Sequence, residues 1–132
     1  MPTSAGGRLI ESLIARDFAE MAECFEEDAT MRALLPSGPA DFAGAGQIVA
    51  AFQRWFGAAK GFEVVETTLE EVGDRVRVSW RLRVHPTPRG AEGWHVVEQQ
   101  VFLRAGARIE SLDLLCTGFM AVQPGRTGER AN

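Results

Sequence analysis

The feature that most constrains the fold is a change of periodicity at Gly61. Before it, apolar residues recur every three or four positions: Leu9, Ile10, Leu13 and Ile14, then Phe18, Met21, Ala22 and Phe25, then Ile48, Val49, Phe52, Trp55, Phe56 and Ala59. That spacing gathers them on one face of a helix. After Gly61 they alternate. Val76, Val78, Trp80, Leu82 and Val84 interleave with Arg75, Arg77, Ser79, Arg81, Arg83 and His85, the pattern of a strand buried on one side only. Helices followed by a run of strands predict an α+β domain, with N-terminal helices packed on a curved, mostly antiparallel sheet.

Local signals divide the chain further. A first helix is expected over residues 5–16. Asp17, with Glu20 three positions on, resembles a capping box for a second. The acidic run Glu26, Glu27, Asp28 should close that helix as a solvated turn. A short strand over 30–35 and a loop at Pro36-Ser37-Gly38-Pro39 follow. A third helix is expected over 47–60, with Gly61 at its C′ position. Strands are expected over 62–71, 75–85, 94–104 and 108–117. Gly44 and Gly46 lack the third glycine and the flanking strand that a dinucleotide site needs.

Composition narrows the function classes. A chain of 132 residues is one domain, here 1–122 followed by a polar tail over 123–132. The net charge is −4, and the 13 arginines and Lys60 are scattered, which excludes a nucleic-acid footprint. Cys24 and Cys116 form no framework and suit a reducing cytoplasm. There is neither a signal-peptide pattern nor an apolar run long enough to span a membrane. His85 and His95 have no third ligand at a useful spacing, so no metal is expected.

Residues 94–104, WHVVEQQVFLR, carry the candidate site. The even positions of the preceding strand are apolar, and directly opposed residues share a face. Keeping even positions inward places Leu82 opposite Glu98 and Trp80 opposite Gln100. The next hairpin then sets Glu98 against Leu114, Gln100 against Leu112, and Val96 against Cys116. Glu98 would be desolvated and suited to proton transfer, or else held by a buried arginine or a backbone donor, or turned outward if the register slips by one residue. Gln100 would orient a ligand or hold Glu98. Trp55, Trp80, Leu82, Trp94, Leu112, Leu114 and Cys116 would line a hydrophobic pocket, or simply fill core. The opposite face would carry Arg77, Arg81, Arg83, His85, His95, Val97, Gln99, Val101, Ile109, Ser111, Asp113 and Leu115. Half apolar and half charged, it suits a homodimer interface.

Three tracts resemble the nuclear transport factor 2-like superfamily, and within it the SnoaL-like proteins: residues 13–30, which end C-F-E-E-D-A-T; residues 44–52, G-A-G-Q-I-V-A-A-F; and residues 102–115, F-L-R-A-G-A-R-I-E-S-L-D-L-L. The resemblance spans roughly residues 5–120. It implies a conical fold enclosing a deep apolar pocket, often in a dimer. The superfamily includes polyketide cyclases, ketosteroid isomerases and limonene epoxide hydrolases. The isomerase residues do not carry over. Ala33 falls at the general base, Leu9 at the oxyanion-hole tyrosine and Gln100 at the protonated aspartate. Asp113 lies one position from the cyclases' acidic residue. The expectation is therefore a cytoplasmic protein that takes a small hydrophobic molecule without a cofactor. Its chemistry would be of the cyclase or isomerase type with Glu98 and Gln100 as its polar pair, or it would be a non-catalytic ligand-binding or scaffold protein.

Overall fold

A computed structural model describes residues 4–122; the expected polar tail lies outside them. The order is α1 (Ala5–Ala15), α2 (Phe18–Ala22), β1 (Phe25–Leu35), β2 (Gly38–Ala43), α3 (Ala45–Phe56), β3 (Gly61–Val72), β4 (Arg75–His85), β5 (His95–Ala105), β6 (Ile109–Cys116) and β7 (Met120–Ala121). The strands form one curved, open sheet in the order β2-β1-β6-β5-β4-β3, with β7 added beside the start of β5. Only the β1–β6 pair is parallel. The α+β expectation holds. Among the described residues no helix is long and apolar enough to cross a membrane.

The helices start and stop for local reasons. Ser4 caps α1 by accepting from the Gly7 amide, and Asp17 caps α2 by accepting from the Glu20 amide. The α1 helix ends at Arg16, which takes a left-handed conformation. The Arg16 Nη1 then donates to the carbonyls of Phe56 (3.0 Å) and Ala59 (2.8 Å). These are the orphan acceptors around the C-terminus of α3, where a cation is favoured. One arginine thus ties the end of α1 to the end of α3 and fixes how α3 lies over the sheet. Gly6 lets α1 approach closely: a Cβ there would stand 3.2 Å from Leu69 Cδ1.

Several boundaries differ from expectation. The acidic run closes no helix. Glu26, Glu27 and Asp28 lie inside β1, where pairing with β6 slips between Phe25 and Thr30. The bulge keeps their side chains toward solvent while the strand continues. The Pro36–Pro39 region is a hairpin whose second strand, β2, sequence reading missed, because Pro39 and Gly38 mask its pattern. The last helical turn of α3 is capped by Gly57, and Gly61 instead begins β3.

The core lies between the helices and the inner face of the sheet. Leu9, Leu13, Met21, Ile48, Phe52 and Phe56 pack from the helices, and Ala29, Met31, Ala33, Val78, Leu82 and Leu103 from the strands. Apart from Ala29 and Ala33, each of these side chains removed from water contributes about 1.5–3 kcal/mol.

The candidate cleft and the two faces of strand β5

The β4 strand faces as expected, with Val78, Trp80, Leu82 and Val84 buried. The β5 register does not. Arg81 pairs with Glu98, Trp80 with Gln99 and Leu82 with Val97. In the next hairpin Gln99 pairs with Cys116, Val101 with Leu114 and Leu103 with Leu112, after an irregularity at Arg104/Ala105. The hairpin loop is one residue out of the expected phase, and one residue of slip exchanges the two faces. Odd positions of β5 therefore point inward.

This corrects the placement of several expected site residues. Glu98 and Gln100 lie on the outer face. The Glu98 side chain is 41% exposed and accepts from Arg81 Nε at 2.5 Å. That hydrogen bond raises the Arg81 pKa by favouring the charged guanidinium. Leu82 and Leu114 do not flank Glu98, so the desolvation expected there is absent. Trp94 is also outside. It packs edge-on to His85 with ring centroids 4.3 Å apart, and the Arg83 guanidinium lies over its ring at 4.8 Å. Leu82, Leu112 and Leu114 point inward as expected, but are sealed in the core.

The outer face differs too. Val97, Val101 and Ile109, expected there as apolar interface residues, belong to the core. In their place stands a ladder of ion pairs: Glu63–Arg83, Glu66–Arg81–Glu98, Glu70–Arg77 and Asp113–Arg75. Leu34 and Leu115 remain exposed beside it.

Sequence reading missed the inward polar groups, His95 and Gln99, by placing both on the outer face. Gln99 is 1% exposed. Its Oε1 accepts from Trp80 Nε1 at 2.9 Å, and its Nε2 donates to Cys116 Sγ at 3.4 Å. An indole nitrogen only donates, so Trp80 fixes which way the amide points. The Gly118 amide also donates to Cys116 Sγ at 3.4 Å. Gly118 has φ +84°, and a Cβ there would meet Pro36 Cγ at 2.7 Å. A glycine is required for this segment to press against the β1–β2 turn. His95 is 9% exposed. Its Nδ1 lies 3.0 Å from the Gly93 carbonyl. A carbonyl only accepts, so Nδ1 carries a proton, and in the neutral tautomer that fits this contact Nε2 is the acceptor. Nε2 has no hydrogen-bond partner among the described residues.

His95, Cys116 and Gly118 border a cleft of about 580 Å³ where β5 begins and β1 and β6 end. Trp55 and Phe119 supply aromatic wall, and Leu35, Pro36, Pro88 and Ala91 supply apolar wall; His95, Cys116 and Arg89 supply the chemistry. Trp55 comes from α3 and packs edge-on to Phe52 at 5.3 Å. Phe119 is held against Phe56 at 6.3 Å, and the β7 pairing that follows fixes it beside β5. Of the expected pocket residues, Trp55 and Cys116 line this cleft. Trp80 stands behind it, 2% exposed and bonded to Gln99. Burial raises the pKa of the other cysteine, Cys24, which lies in the core. Among the described residues no group of three or more His, Cys, Asp or Glu side chains is placed to hold a metal.

Comparison with known structures agrees with this architecture. A candidate ketosteroid isomerase from Kribbella flavida DSM 17836 superposes with a TM-score of 0.65 at 18% identity, covering 97% of this chain and 86% of the other. A candidate polyketide cyclase from Xanthomonas campestris pv. campestris gives 0.65 at 14% identity, covering 84% and 86%. A phenazine biosynthesis-related protein from Pseudomonas aeruginosa gives 0.63 at 12%, covering 86% and 75%. No curated protein matches the sequence. The SnoaL-like domain model matches residues 7–111, most of the chain, and the protein belongs to that family.

Proposed function

We propose that the cleft between Trp55, Phe119 and β5 binds a small hydrophobic molecule, and that His95 acts on it as a proton acceptor without a cofactor. The carrying observation is the His95 ring. Its Nδ1–H is engaged by Gly93, its body is buried, and its second nitrogen is unengaged in a residue that lines the cleft. Histidine is the side chain whose ordinary pKa suits proton transfer near neutrality. Apolar walls with a few oriented polar groups are the usual form of a small-ligand site. The cyclase and isomerase descriptions of structural neighbours support acid/base chemistry at a carbon beside a carbonyl. In that step Nε2 takes the proton, the electron pair moves to the carbonyl oxygen, and the proton later returns to carbon. A non-catalytic ligand carrier is the second reading. It is favoured by one observation: no Asp or Glu lines the cleft.

The test is His95→Asn. Asparagine can still donate to the Gly93 carbonyl but presents no base where Nε2 stands. In a screen of enone and polyketide-like substrates, turnover should fall about 10²–10⁴-fold, while binding of the same compounds changes little. Unchanged turnover removes His95 from the mechanism. Wild-type protein that binds these compounds but never converts them leaves the carrier reading.

A further inference from the structure

We propose that the ligand of this cleft is an apolar carboxylate, and that Arg89 is the residue that reads its charge. This rests on the reading that the cleft takes a ligand. Arg89 lines the cleft and is the one Arg, Lys, Asp or Glu among its lining residues, so it supplies the permanent charge there. Seven arginines of this acidic protein are ion-paired, namely Arg8, Arg75, Arg77, Arg81, Arg83, Arg104 and Arg108. Arg89 makes neither an ion pair nor a side-chain hydrogen bond among the described residues.

The position of Arg89 is built rather than incidental. The Gly90 amide donates to the Thr87 carbonyl at 2.8 Å, closing a turn with Pro88 and Arg89 at its centre. Thr87 anchors that turn. It is buried, its amide donates to the Ala91 carbonyl at 3.1 Å, and its hydroxyl accepts from the Ala91 amide at 3.0 Å. Gly90, at φ +88°, allows the chain to turn back after Arg89. Arg89 thus borders the apolar cleft on a backbone fixed by these bonds. A planar fork of donors there matches a carboxylate. The apolar body of the ligand would lie between Trp55 and Phe119, directed toward His95.

The test is isothermal titration of the full chain with 2-naphthoate and with 2-naphthamide, its neutral counterpart of the same shape. The wild type should prefer the acid by about fivefold at low ionic strength, the size of a rim ion pair, and the preference should shrink in high salt. In Arg89→Gln the preference should vanish while the amide binds as before. In Arg54→Gln, a change at an exposed arginine of α3 outside the cleft, the preference should persist. Equal binding of acid and amide by the wild type overturns the carboxylate proposal and leaves the cleft reading intact. A preference that survives Arg89→Gln also overturns it. If Arg89→Gln weakens acid and amide alike, Arg89 shapes the cleft instead of reading charge, and the proposal fails. Binding of neither compound to the wild type overturns both readings.

Discussion

The two faces of β5 carry similar numbers of polar residues and treat them in opposite ways. On the inner face His95 and Gln99 are buried and each engaged by a named partner. On the outer face Glu98 is charged, half exposed, and one member of an ion-pair ladder. The difference follows from solvation. A buried polar group without a partner costs about 1–3 kcal/mol, so those admitted to the interior are ones the fold can satisfy. A charge at the surface is already satisfied by water, and its pairing adds little. A polar residue's value as a site marker therefore depends on the face it occupies.

The sharpest way to break the comparison is to truncate one apolar residue on each face. Leu103→Ala removes a fully buried inner-face side chain and should cost about 2–5 kcal/mol in urea unfolding. Phe102→Ala, its half-buried neighbour on the outer face, should cost about 1 kcal/mol despite the larger side chain. The reverse order would restore the register with even positions inward.

A smaller effect separates the adjacent glutamines. Gln99→Ala leaves the Trp80 indole N–H without its acceptor, and stability should fall by about 1–3 kcal/mol. Gln100→Ala, at an exposed position, should stay within about 0.5 kcal/mol. Equal losses would mean that the Trp80–Gln99 bond contributes nothing.

The same pair shows where sequence reading stops. The fold class was legible because long runs carry it: the helical spacing from Leu9 to Phe56 and the strict alternation of β4 each repeat over several turns or pleats. The inward parity of β4 and of Leu112 and Leu114 in β6 was legible for the same reason, since those strands have clear faces. The β5 strand has no such asymmetry. Trp94, Val96 and Phe102 on one parity compete with Val97, Val101 and Leu103 on the other. The choice then falls to the two hairpins, whose registers depend on a nine-residue loop at 86–94 and an irregularity at Arg104/Ala105. Neither leaves a period to count. One signal did point the right way: three aliphatic side chains on the odd parity suit a packed interior better than two aromatics and a valine. His95 and Gln99 then follow as the inward polar pair. The cleft itself was beyond reach, because it depends on how α3 and Phe119 close over the strand ends.

The smallest expected effect tests the outer face directly. Glu98→Gln removes the carboxylate from Arg81 and keeps the size of the side chain. Arg81 retains Glu66 at 3.5 Å, so the guanidinium is not abandoned. Both partners of the lost pair are substantially exposed, so the change in unfolding free energy should be about 0.2–1 kcal/mol and should shrink further in salt. Turnover or ligand binding in the cleft should not change, because the Glu98 carboxylate lies on the far side of the sheet from His95. A measurable activity that collapses in folded Glu98→Gln protein would place chemistry on the ion-pair ladder. It would also show that exposure and pairing do not disqualify a carboxylate here, which is the premise on which the two faces were told apart.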